Sequence, residues 1–158
     1  MNQPTYPFQR AAGNRLRFEF ESVSPAKRVR KVVEYQPLDN QHRYFNLALL
    51  DQLDNGTASD LTVSNNADLV KILATVFQTM RHLFRRHPTS VVVFKGSTAG
   101  RTRLYRMAIA HSLGDVVSEF YVEGLGEETG WEPFRPNQPY VAFSVRLRNP
   151  TELPKLEP

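Results

Sequence analysis

The stretch 90–113, "SVVVFKGSTAGRTRLYRMAIAHSL", changes its periodicity half-way, and that change decides the fold class. Val91 to Phe94 form a β-branched run of the kind that fills a buried strand. Gly96 stops the run, Ser97 and Thr98 offer hydroxyl caps, and a helix is predicted from about Ala99 to Leu113.

Toward the N-terminus, Leu69, Ile72, Leu73, Val76, Met80, Leu83 and Phe84 recur at helical spacing. Asn65 or Asn66 can cap this helix, and Asp68 suits its positive end. Lys71, Gln78, His82 and Arg85 are expected on its solvent side. Further back, "RLRFEFES" (15–22) alternates strictly, which marks a half-buried strand. "KRVRKVVEYQPL" and "HRYFNLALLD" are two more strands, Asn55-Gly56 favours a tight reversal, and "LTVS" is a short fourth strand. Beyond the second helix come "VSEFYVEG" and "YVAFSVRLR", the latter burying Val141, Phe143, Val145 and Leu147. Segment 124–139 reads as a long loop in which Trp131 and Phe134 must dock on something.

The prediction is an α+β fold. A mainly antiparallel sheet starts with a meander of three to four strands, continues helix-strand-helix-strand-strand, and carries two helices on one face. A parallel crossover at 90–95 stays open. Residues 1–13 and 149–158 read as flexible ends around a single domain, 14–148, because proline and polar residues dominate them. The absence of cysteine excludes disulfides, zinc–thiolate sites and thiol nucleophiles. No signal pattern and no apolar run near the ~18 residues of a membrane span are present, so a cytoplasmic protein without membrane contact is expected.

The net charge of +4 is unevenly spread. The interval 69–114 has no acid but holds eight Lys/Arg, whereas six acids and no cation lie from Asp115 to Glu132. Either the basic interval meets nucleic acid or another polyanion, or it meets an acidic protein, as in a two-gene, toxin–antitoxin-like pair. The remaining alternative is that the 115–132 acids fold back on the basic helices.

Lys95, Ser97, Thr98 and Arg101 are the candidate anion holders, because a capped helix start exposes amide N–H groups. The lysine precedes the glycine, so this is not a P-loop. At about 100° per residue, Leu104, Tyr105 and Ala108 share an arc. Arg103 and Arg106 fall opposite, while Arg101 points inward and needs a partner, as a structural lock or a ligand contact. For nucleic acid, Arg81 and Arg85 join Arg103 and Arg106, with Tyr105, Tyr44 or Tyr35 as stacking platforms. His42, His82, His87 and His111 have no metal-ligand spacing, and His111 reads as a core residue. Asp51, Asp54 and Asp60 fall in turn chemistry. No metal, cofactor or catalytic residue is implied, and the reading leans away from an enzyme; an enzyme on a phosphorylated substrate is the remaining class.

"YFNLALLD", "LTVSNNAD" opening a helix, "KGSTAGRTRLYRM" and "WEPF" together resemble a small uncharacterised bacterial domain family of unknown function. The resemblance runs from about Phe18 to Arg146. It implies an α+β fold and brings no activity, cofactor or site residue.

Overall fold

The computed structural model describes residues 4–13, 16–25, 28–52, 58–59, 66–154 and 156. The Asn55-Gly56 reversal, the Leu61–Ser64 strand, the Asn65 cap, Asp54 and Asp60 lie outside the described residues. In chain order the elements are β1 (Phe8–Arg10), β2 (Arg17–Val23), β3 (Arg28–Pro37), β4 (Tyr44–Gln52), β5 (Ala58–Ser59) and α1 (Asn66–Arg86). There follow β6 (Val91–Phe94), α2 (Ala99–Val116), β7 (Phe120–Gly126), β8 (Gly130–Pro133) and β9 (Ala142–Leu147). Among the described residues the fold is α+β, with two helices and a mostly antiparallel sheet.

Across the sheet the order is β1-β2-β3-β4-β6-β9-β7-β8, with β5 beside the far end of β4. β4 and β6 pair in parallel, Tyr44 against Val91 and Asn46 against Val93, whereas β6 and β9 are antiparallel. A parallel pair cannot be closed by a hairpin, so α1 has to carry the chain back across the sheet. It does so on the face where Phe18, Val33, Tyr35, Phe45 and Val92 point, and those side chains join its own stripe in one buried core. The Tyr35 hydroxyl lies 2.7 Å from Thr79 Oγ1. α2 covers the other half of the same face, where Tyr105 meets Phe94 edge-on at 6.1 Å.

Two strands lie where loose chain was expected. Residues 1–13 were read as a flexible end, yet Phe8–Arg10 pairs with β2, and Tyr6 is buried. Tyr6 takes Thr75 Oγ1 through its amide and gives its hydroxyl to Asp68, which also receives Ser22. The prolines that suggested loose chain, Pro4 and Pro7, only bracket this docking tyrosine. Inside the predicted loop 124–139, Gly130–Pro133 hairpins onto β7, and the positive φ of Gly130 (71°) makes the reversal. Phe134 is buried against Tyr140 and Phe143, while Trp131 stays exposed.

Asp51 is not a turn carboxylate. It sits at the end of β4 and forms a buried ion pair with Lys31 of β3, its register partner. Such a pair holds register rather than adding much stability, since desolvation offsets the attraction. We expect Lys31→Met alone, which strands the carboxylate, to cost about 3–5 kcal/mol. Lys31→Met with Asp51→Leu should recover most of that loss in urea unfolding.

The histidines of α1 and the following turn are partly buried rather than solvated. His82 packs on Phe8 and Phe18, and His87 lies 5.2 Å from both His42 and Phe45. Burial lowers the pKa of both, helped by Arg10 and Arg85 at His82 and by His42 and Arg86 at His87. The unfolded chain therefore binds more protons below the ordinary value of 6.5. Stability should be full above that value and fall as the pH drops through the depressed values. Thermal melts at descending pH check this, with His82→Gln plus His87→Gln flattening the loss.

Candidate functional site: a cleft beside the start of the second helix

At the carboxyl end of β6 the chain makes a tight turn that only glycine allows. A Cβ on Gly96 would lie 2.5 Å from the Thr102 amide nitrogen and 2.6 Å from Arg101 Cβ, both fixed parts of α2. The Gly96 amide donates to Thr102 Oγ1 at 3.0 Å, and that hydroxyl donates to the Thr98 carbonyl at 3.1 Å. Thr98 is the N-cap: its side chain accepts from the Arg101 amide at 3.1 Å. Strand end and helix start are thus locked together. Ala99 and Gly100 are exposed in the opening turn, whose amides have no acceptor within the helix, and the positive end of the helix favours an anion.

Two cavities flank this turn. The smaller, about 240 Å³, lies between β4 and the two helices and is lined mainly by Leu47, Leu49, Leu73, Phe94 and Tyr105. The larger is a cleft of about 750 Å³ between the start of α2 and the β7–β8 hairpin. Its helix wall carries Lys95, Ser97, Thr98, Arg103 and Arg106; its hairpin wall carries Glu127, Glu128 and Glu132. Arg106 bridges the walls by donating to the Gln138 carbonyl at 2.9 Å. Among the described residues no ion pair joins the three cations to the three carboxylates, so the charged walls stand apart.

The hairpin wall is built around Tyr140. Its ring lies where a Cβ on Gly124 would be, so β7 needs a glycine there. The Tyr140 hydroxyl donates to Glu132 Oε2 at 2.7 Å and accepts the Arg135 amide at 3.1 Å. Arg135 Nε donates to the same carboxylate oxygen at 3.0 Å. The Tyr140 hydrogen bond first, and Arg135 second, hold the Glu132 carboxyl below the usual carboxylate range. It is ionised and held in one orientation.

Of the candidate residues, Lys95, Ser97, Thr98, Arg103 and Arg106 share this cleft. Arg101 does not line it. Its side chain is half-buried on another side of α2, and its Nη2 is buried with no acceptor among the described residues. Tyr105 is buried beneath Phe94 in the smaller cavity, which removes it as a stacking platform, and Tyr35 is buried likewise. Arg81 and Arg85 lie toward the opposite end of the helix layer. Arg81 Nε meets Glu119 at 2.8 and 3.1 Å, and Arg85 Nη1 donates to the Pro154 carbonyl at 2.6 Å. Part of the acidic segment therefore does fold back on the basic helices.

His111 is exposed, not a core residue. Apolar side chains encircle α2, with Met107 exposed and Ile109 buried, so the wheel had no single apolar arc to find. Among the described residues no group of histidines and carboxylates is arranged to hold a metal ion. Nor is any helix among them long and apolar enough to cross a membrane.

A family model for proteins of unknown function matches residues 2–148. The chain belongs to DUF6934, a family of unknown function. The DUF6934 match includes every residue that lines the cleft. No curated protein and no solved structure matches the chain.

The turn at Gly96 offers a direct test of how the cleft is held. Gly96→Ala should cost about 1–3 kcal/mol through overpacking against backbone. Amide exchange should speed up first in the opening turn of α2, and a uniform change along the chain would contradict this.

Proposed function

We propose that the protein is a non-catalytic binding module that takes a phosphate group of nucleic acid, or of another polyanion, at the helix wall of the cleft. The observation that carries this reading is the convergence of Lys95, Arg103 and Arg106 with Ser97, Thr98 and Ala99 at the α2 start on one cavity. A phosphate there gains charge-assisted hydrogen bonds from side chains and from backbone dipoles together. The cavity also falls within the roughly 300–1,000 Å³ range of ligand pockets.

The contact is local. Arg81 and Arg85 are committed to Glu119 and Pro154, so the acid-free interval does not act as one continuous strip. Three cations at most engage the phosphates of a single strand, for which the logarithmic salt slope is roughly −0.7 per neutralised phosphate. Fluorescence anisotropy with labelled single- and double-stranded DNA and RNA across a salt series should therefore give a slope near −2 for single strands. A slope near −6 would mean that the whole interval binds as a strip, and absence of binding at low salt would sink the reading altogether. Lys95→Ala with Arg103→Ala should weaken binding by about tenfold or more, the loss of at least one charge-assisted bond.

A further inference from the structure

The cleft has a second wall that phosphate alone does not explain. Glu127, Glu128 and Glu132 face a space into which a bare phosphate would bring only repulsion. An ionised carboxylate accepts hydrogen bonds and cannot donate them, so this wall is useful only to a ligand that brings donors. Glu132 is held by Tyr140 and Arg135 rather than left to swing, and Tyr140 is itself wedged on Gly124. Orienting a carboxylate in this way lowers what is lost when a ligand engages it.

We propose that the cleft recognises a ribosyl phosphate, with the phosphate on the helix wall and the vicinal sugar hydroxyls on the carboxylate wall. This rests on the phosphate reading above and sharpens it. Hydroxyls suit the site better than an ammonium group does. Arg135 already neutralises much of Glu132, whose Oε2 is taken by Tyr140 and Arg135, so two adjacent hydroxyls are shared between its other oxygen and the neighbouring Glu128. The 2′-hydroxyl is also the group by which a protein tells RNA from DNA. The same chemistry occurs in a free ribonucleotide and at the 3′ end of RNA, whose last nucleotide keeps both hydroxyls and carries a phosphate on its 5′ side.

Isothermal titration of the full chain with inorganic phosphate, ribose 5-phosphate, AMP, 2′,3′-dideoxy-AMP and O-phosphoethanolamine tests the assignment. Ribose 5-phosphate and AMP should bind about tenfold tighter than inorganic phosphate and the dideoxy compound, a gap of one charge-assisted hydrogen bond or more. Glu128 is exposed in the hairpin turn, so Glu128→Gln leaves the fold intact. That variant should weaken AMP while tightening inorganic phosphate, opposite signs that a purely structural role cannot produce. An RNA oligomer with a free 3′-terminal diol that binds tighter than AMP identifies a nucleic-acid end as the source, and AMP binding as well or better identifies the free nucleotide. Equal affinity for AMP, its dideoxy analogue and inorganic phosphate overturns the ribosyl assignment and leaves the phosphate reading standing. Tighter binding of O-phosphoethanolamine than of ribose 5-phosphate overturns it in favour of a cationic ligand. No binding by any of these compounds removes both readings.

Discussion

The parallel pairing of β4 and β6 is the constraint on which the rest depends. An antiparallel neighbour is reached by a turn; a parallel one demands that the chain recross the sheet, and α1 is that crossing. Both strands therefore point their carboxyl ends toward the same edge, from which β6 leads directly into α2 and β4 leads through β5 to α1. In open sheets, ligands settle in the space left outside such strand ends. Here β4 runs on to Gln52 while β6 stops at Phe94, so the turn at Gly96 sits in the opening with a cavity on each side. The functional reading follows from this topology, not from any familiar motif.

Charge is then distributed by the same geometry. Of the cations in the acid-free stretch, Arg81 and Arg85 are spent within the fold, on Glu119 and on the chain near Pro154. Lys95, Arg103 and Arg106 remain in the cleft with carboxylates opposite them. Net charge along a sequence therefore says little about net charge across a surface. In this protein the cleft walls balance, which favours a ligand with both accepting and donating ends over a simple polyanion.

Legibility followed the strength of the local pattern. α1 could be read because its apolar residues recur at helical spacing strongly enough to outweigh the buried Thr75 and Thr79 among them. The partner arc of α2 could not, because Leu104, Met107, Ala110 and Leu113 lie off the face that Tyr105, Ala108, Ile109 and Val116 bury, and only packing selects between the two sets. β8 was invisible: four residues with a glycine and a proline carry no alternation, and only pairing to β7 makes them a strand. The site split along the same line. Lys95, Ser97 and Thr98 announce a helix start through cap chemistry, which is local. Glu132 and Tyr140 reach that place only through the pairing of β7 with β8 and β9, which is not.

The two chain ends meet the same helix at opposite extremities. Tyr6 is tied to Asp68 and Thr75 near the start of α1, and the segment at Pro154 is tied to Arg85 near its finish. Asp68 and Arg85 are seventeen positions apart along the helix, a span of roughly 25 Å at 1.5 Å per residue. Tension applied between the two anchors would run lengthwise along α1 and, at the first anchor, also bear on the edge strand β1 that follows Tyr6. The helix that permits the parallel pair is thus also the beam between the chain's two points of attachment.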